Sequence, residues 1–408
     1  MFDGIEKEFK VNEYITVKLE NNKTEIYVNK KKFNQCKKLL LNTPIEGNFS
    51  SKDILSTDEL EERWHSSIYH SEPSESNIPP PKTAFWGYCS NLQAWVENEY
   101  DTRLLNRRLA FSLLKKLIEA GDLVAKKVFK EEVIKRLKSG YSPVIKFLVE
   151  EKYLDYLSYE EIKVIFPEFV EYKSHLFPVI DGFLNLHLKG IEDLSKVKGL
   201  ENLPSLTSLG LGHNFIREIK GLEKVPNLIG LGLPGNSITE LKGLENLINL
   251  TELYLKDNNI QEIKELDNLI NLEILDLHSN NIRKIKGLEN LVNLKELCLY
   301  SNQITEIKGL DNLINLEILD LHANNIGKIT GLENLVNLKE LCLYSNQITE
   351  IKGLDNLINL EILDLHDNNI GKITGLEDLV NLKELYLFGN QIPRDQIENY
   401  KDKHNLRD

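Results

Sequence analysis

The chain has 408 residues, 41% apolar and 28% charged, with a formal net charge of -13. Such a length predicts two or three domains, and the apolar content excludes a disordered chain. Residues 1–180 carry 27 Lys and Arg against 28 Asp and Glu, which leaves 23 against 35 for residues 181–408.

The excess negative charge is therefore a property of the second half, which would repel phosphate backbones and anionic lipid. Nucleic-acid binding and membrane binding are not expected. No apolar run approaches the ~18–20 residues that span a bilayer, and residues 1–10 lack the apolar stretch of a signal peptide. The four cysteines, Cys36, Cys89, Cys298 and Cys342, fall in no zinc-like spacing. Reduced thiols and a cytoplasmic protein are the expectation.

In residues 1–65 a small β-rich element is expected. Ile15, Val17 and Leu19 alternate, Asn21-Asn22 reads as a turn, Ile26 and Val28 resume, and Asn29-Lys30 marks a second turn before Phe33. A basic apolar stretch occupies residues 36–41. Residues 66–84, rich in Ser and Pro and including Pro79-Pro80-Pro81, read as a linker.

The periodicity then becomes helical, and residues 85–180 are expected to form an α-helical domain capping the acidic second half of the chain. Leu104, Leu105, Leu109, Phe111, Leu113, Leu114 and Leu117 fit one stripe ending near Gly121-Asp122. Val124, Val128, Phe129, Val133, Ile134 and Leu137 fit the next, ending at Ser139-Gly140. Paired helices with Gly turns resemble a HEAT- or armadillo-like hairpin. Trp86, Tyr88, Trp95 and Tyr100 read as core. Residues 101–150, with 12 basic and 6 acidic side chains, read as a solvated helix face or a surface docking on the acidic second half.

From residue 181 to 395 the chain repeats. Asparagines stand at 214, 236, 258, 280, 302, 324, 346, 368 and 390, each 22 residues after the last. Around each the pattern is Leu-x-Leu-x-x-Asn-x-Ile-x-x-Ile, then Gly-Leu-x-x-Leu-x-Asn-Leu, with some departures. Each Leu-x-Leu predicts a short strand with Leu turned inward, stacked in parallel at ~4.8 Å spacing. A buried Asn there must bond the backbone of adjacent turns. Residues 184–206 read as a degenerate first unit carrying Leu186, Leu188, Ile191 and Leu194. Ile392-Pro393 ends the array, and residues 396–408 read as a capping helix and tail. A second period overlies the first: residues 277–320 and 321–364 differ at three of 44 positions.

This unit resembles the leucine-rich repeat in its short form, as in internalin-like proteins and the leucine-rich regulatory subunit of protein phosphatase 1. The resemblance covers roughly residues 183–395. It implies an α/β solenoid, with a curved parallel sheet on the concave face and short helical or 3-10 segments on the convex face.

Outward-pointing strand residues then form columns. Four residues before each Asn the column runs from Gly210 and Gly232 through Tyr254, Asp276, Cys298, Asp320, Cys342 and Asp364 to Tyr386. Two residues before it stand Gly212, Pro234, Lys256, His278, Tyr300, His322, Tyr344, His366 and Phe388. Six before it, Glu252, Glu296, Glu340 and Glu384 alternate with Ile274, Ile318 and Ile362. Exposed aromatics among acids suit an interface rather than a solvated face.

The residues from Tyr254 to Phe388 in the first two columns are therefore the candidate site. It would bind another protein whose surface is basic or mixed basic and apolar. Thiolate and imidazole also suit zinc, but Cys298 and Cys342 lie two strands apart, roughly 9–10 Å, wide for one ion and too wide for a disulfide. No nucleophilic Ser or pocket accompanies the Asp and His columns. The expectation is a non-enzymatic, monomeric interaction scaffold with no catalytic, cofactor or metal site. Regulation of a phosphatase or small GTPase is what the resemblance implies. A metal or enzymatic site in the Asp, His and Cys columns, or a self-associating repeat protein, are the competing readings.

Overall fold

A computed structural model of the chain describes residues 7–34, 80–105 and 107–407. They fall into two compact units, Met1–Glu161 and Ile162–Asp408. The expectations for residues 36–41 and for 66–79 lie outside the described residues.

The first unit opens with a four-stranded antiparallel sheet, β1 (Lys7–Lys10), β2 (Ile15–Glu20), β3 (Lys23–Val28) and β4 (Lys31–Lys32). Its turns are those read from the sequence: Asn21 and Asn22 (φ 49° and 62°) and Asn29 and Lys30 (φ 46° and 63°) are left-handed, as a two-residue turn matched to strand twist requires. Among the described residues the helices α1 (Pro81–Glu97), α2 (Arg107–Glu119), α3 (Leu123–Lys138) and α4 (Ser142–Glu150) follow, and α5 (Tyr159–Ile165) runs across the boundary into the second unit. The linker reading therefore fails at its end, because Pro81 occupies the first turn of α1, where its missing N–H costs nothing.

Sheet and helices share one core rather than forming two domains. Phe9 meets Trp86 edge-on, and Asn12 Nδ2 donates to Tyr100 Oη over 2.9 Å. That phenol donates in turn to Asp122, which caps α3 by accepting from Ala125 N. Trp95 and Tyr100 are buried as expected, whereas Trp86 is half exposed with Lys7 above its ring. The α3 stripe is Ala125, Phe129, Val133 and Leu137. Val124 and Leu104, expected inside, are exposed.

The second unit corrects the helical reading of residues 85–180. β5 (Phe169–Tyr172) and β6 (His175–Ile180) form a hairpin through left-handed Lys173 and Ser174, and β6 pairs antiparallel with β7 (Phe183–Asn185). This hairpin covers one edge of the repeat sheet. From β7 onward every pairing is parallel, through β8 (Ser208–Gly210) to β16 (Glu384–Tyr386), in a 12-stranded sheet with strictly sequential order. At the far edge α6 (Arg394–His404) follows Pro393, beginning slightly before the expected cap, and Arg407 bridges to Glu384. One continuous core runs from Val170 to Ile392.

The first unit of the array is 25 residues long rather than 22, since Leu184 pairs with Leu209 while Leu209 pairs with Leu231. Its buried run Ile191, Leu194, Val197, Leu200, Leu203, Leu206 has one more three-residue step than the later units. Leu188, expected in this core, is 68% exposed at φ 57°. It occupies the left-handed position before the Asn column, held by His213 and Asp257 in later units.

The Asn column behaves as its chemistry demands. Asn302 Oδ1 accepts from Ile282 N at 2.9 Å, and its Nδ2 donates to Leu277 O (3.1 Å) and Leu299 O (3.0 Å). Each amide thus ties one turn to the one before it. On the convex side, 3-10 segments occur in the early units (Leu194–Lys196, Leu200–Asn202, Leu222–Lys224). Later units replace them with tight turns such as Leu269 N to Leu266 O and Leu272 N to Leu269 O. Among the described residues, no helix is long and apolar enough to cross a membrane.

Candidate functional site

In each three-residue strand of the array the central Leu is buried and its neighbours face outward. The fifth residue of the segment joins them, so each turn lays three side chains across the concave face. Ile274, Asp276 and His278 form one row, Glu296, Cys298 and Tyr300 the next, and parallel register sets Asp276 beside Cys298 and Cys298 beside Asp320. Every predicted site residue from Tyr254 to Phe388 lies on this face.

The column two residues before each Asn is a continuous ring stack. His278, Tyr300, His322, Tyr344, His366 and Phe388 lie nearly parallel, with successive centroids 4.0, 4.2, 4.1, 4.3 and 4.5 Å apart. Side chains on adjacent parallel strands must ride close together, and planar rings fill that spacing face to face. Each imidazole is fixed from a second direction, since Nδ1 of His278, His322 and His366 lies 2.6, 2.7 and 2.5 Å from Oδ1 of Asp276, Asp320 and Asp364. The same carboxylates accept the backbone N–H of those histidines. Within the stack only its last ring, Phe388, is well exposed, at 59%.

The Glu and Ile column six residues before each Asn lies outside the candidate site read from the sequence. The structure makes it part of the same surface. Tyr254 Oη donates to Glu252 and Tyr386 Oη to Glu384, while the thiols of Cys298 and Cys342 each lie 3.6 Å from the glutamate two residues earlier. Burial, helped by the neighbouring carboxylates, pushes the phenols of Tyr254 and Tyr300 up to about 12. Burial does the same more strongly to both thiols, with Asp276, Glu296 and Asp320 adding to it at Cys298, and Asp320, Glu340 and Asp364 at Cys342.

These thiols are therefore protonated and slow to react at neutral pH. Alkylation of Cys298 and Cys342 by iodoacetamide at pH 8 is expected to lag well behind that of the unfolded chain. Asp320→Asn, which removes a carboxylate flanking both, should speed the two together when labelling is followed by peptide mass spectrometry. Faster labelling of only one would contradict this geometry. Among the described residues, no three His, Cys, Asp or Glu side chains are placed to hold a metal ion.

Toward β8 the face changes. Gly212 and Pro234 replace the rings, Gly210 and Gly232 replace the acids and thiols beside them, and His187 packs edge-on against His213 at 4.9 Å. A Cβ on Gly212 would stand 2.8 Å from His187 Nδ1, so the small residue here makes room for a neighbouring ring. The lysine ridge at 220, 264, 308 and 352 pairs with glutamates two residues before each, at Glu218, Glu262, Glu306 and Glu350.

Two surface features escaped the sequence reading. Asparagines such as Asn293 and Asn315 on the outer turns donate to the carbonyls of Ile270 and Val292, a second amide ladder. Beside it runs a row of exposed Ile and Val, spaced 22 residues apart from Ile248 to Val380. Its signal was the second apolar residue of each Leu-Ile-Asn-Leu or Leu-Val-Asn-Leu segment.

A sequential parallel sheet built from one repeating turn defines a solenoid repeat protein. Residues 248–402 match, in overlapping pairs of units from 248–291 to 358–402, the family described as Leucine Rich repeats (2 copies), and this part of the chain belongs to the leucine-rich repeat family. A leucine-rich repeat protein of Leptospira interrogans is 32% identical over 50% of this chain and 54% of its own, with a TM-score of 0.47. Internalin C2 of Listeria monocytogenes is 33% identical over 50% of this chain and 88% of its own, with a TM-score of 0.44. The ectodomain of an Arabidopsis thaliana membrane receptor kinase, solved in complex with Casparian strip integrity factor 2, is 26% identical over 48% and 28%, with a TM-score of 0.39. The chain thus spans about half the length of the Leptospira protein. No curated protein matches it. Leucine-rich repeats generally serve as frameworks for protein–protein interaction.

Proposed function

We propose that the chain is a non-enzymatic scaffold that binds another protein on its concave face, between Tyr254 and Phe388. The observation that carries this reading is the fixed ring stack. Six rings are locked by their neighbours, and the three imidazoles are held again by aspartates. A surface already ordered in this way loses little side-chain freedom on binding. Around the rings stand Glu252, Asp276, Glu296, Asp320, Glu340, Asp364 and Glu384 against a single lysine, Lys256. The face therefore suits a basic or mixed basic and apolar partner. Nothing on it selects a phosphatase or a GTPase as that partner.

The test is affinity capture from native lysate, read by mass spectrometry, with wild type beside two variants shown to fold equally well. Asp320→Lys with Tyr344→Ala interrupts both the acids and the stack. Glu340→Lys reverses one charge and leaves the stack whole. A protein captured by wild type and lost from both variants is the expected result. Equal capture by all three would overturn the reading and direct attention to the first unit.

A further inference from the structure

The exposed Ile and Val row is a second surface, separate from the concave face. The last six of the row's seven members, Ile270, Val292, Ile314, Val336, Ile358 and Val380, are 42 to 77% exposed and occupy successive turns, while Ile248 before them stands beside the uncharged Thr251. Together they present on the order of 500 Å² of apolar surface, in the upper part of the ~300–600 Å² range of the largest patch on a typical monomer, a size that often marks a functional surface. Three residues on from each runs a charged column that alternates strictly: Glu273, Lys295, Glu317, Lys339, Glu361, Lys383. A groove beside the row is lined by Glu273, Lys295, Glu317, Lys339 and Glu361 and by the asparagines Asn293, Asn315, Asn337, Asn359 and Asn381. Those asparagines are tied to backbone carbonyls of the row, so the groove floor is fixed. Within the chain each lysine pairs with the glutamate one turn earlier, as Lys339 does with Glu317 at 2.5 Å.

We propose that this side of the solenoid binds a second copy of the same chain, antiparallel, about a two-fold axis between the turns of Ile314 and Val336. A two-fold interface must be complementary to itself, and the pattern meets that condition. Reversing six alternating charges sets Glu273 against Lys383, Lys295 against Glu361 and Glu317 against Lys339. An odd number of charged turns would have set glutamate on glutamate. The same axis sets Ile270 against Val380, Val292 against Ile358 and Ile314 against Val336, a larger side chain facing a smaller one each time. With the flanking polar groups, the contact approaches the ~800 Å² per partner of a standard interface. The acidic column on the row's other flank, Asp267 to Glu377, is set against itself, which makes the association reversible and visible on dilution.

The experiment is sedimentation velocity on the full chain over a wide range of concentrations. Wild type shifts from monomer to dimer as concentration rises. Lys339→Glu places glutamate against Glu317 twice per dimer and weakens association on the order of tenfold. Ile314→Ser with Val336→Ser, fold verified by circular dichroism, removes it. The exchange variant, Glu317→Lys with Lys339→Glu, keeps the internal ion pair and its own complementarity. It dimerises with itself as wild type does, but on the order of tenfold more weakly with labelled wild type, where two pairs of like charges meet. A merely structural role for these residues would not produce that selectivity. Wild type that stays monomeric throughout, or an exchange variant that mixes freely with wild type, overturns the proposal.

Discussion

Asn324→Ala is expected to destabilise the repeat unit by about 3–5 kcal/mol, since each buried polar group left without its partner costs ~1–3 kcal/mol. Asn324 Oδ1 accepts from Ile304 N at 2.9 Å, and its Nδ2 donates to Leu299 O and Leu321 O at 3.0 Å. Alanine satisfies none of these groups, and at 7% exposure no water reaches them freely. The loss sits mid-array, where each turn is supported only by its neighbours. Urea unfolding should therefore show a lower midpoint, with hydrogen exchange accelerated first around residues 299–304 and 321–326. Asn337 is the control: its Nδ2 donates to Ile314 O at 2.8 Å but is exposed, so Asn337→Ala should cost no more than about 1 kcal/mol. Equal losses for the two variants would mean that burial does not decide the role of these amides.

The array is legible because one spacing rule places every side chain. A 22-residue period with Leu at fixed offsets determines strand, inward face and outward columns together, and the strands lie where that rule puts them. The capping edge obeys no such rule. Residues 169–180 read as helical because their apolar residues come directly after a helical stripe, and Lys173-Ser174 has no sequence signature of a left-handed turn. The first unit misleads for a related reason. Its extra three-residue step shifts the apolar positions, so Leu188 falls in line with the core residues in the sequence although it takes the exposed turn position.

On the candidate site, the columns are readable but their mutual locking is not. Alternating His and Tyr implies adjacency; that the rings stack face to face depends on strand spacing and on the Asp to Nδ1 bond. The exposed Ile and Val row is hidden because two apolar residues stand side by side, as in Leu247-Ile248. The three-residue step from Leu244 to Leu247 to Leu250 buries the leucines and turns Ile248 out. Composition alone cannot separate them.

The same dependence on backbone path governs the glycines, and Gly243→Ala is expected to cost about 3 kcal/mol or more. Gly243 has φ +106°, and a Cβ there would lie 1.8 Å from the carbonyl oxygen of Ile219. That oxygen belongs to the preceding turn's backbone, so relief requires two turns to separate. One repeat later the column holds Glu265 at φ 63°, which shows that a side chain is tolerated where the path is less extreme. Gly327 gives the opposite expectation, because a Cβ there meets nothing within 4 Å and its φ is not left-handed. Arg283 already occupies the matching position two repeats earlier. Gly327→Ala should therefore be neutral or stabilise by roughly 0.5 kcal/mol through the unfolded chain's lost freedom. Thermal unfolding of the two variants side by side checks the pair. A destabilised Gly327→Ala with an unaffected Gly243→Ala would show that turn-to-turn approach is not what selects glycine in this array.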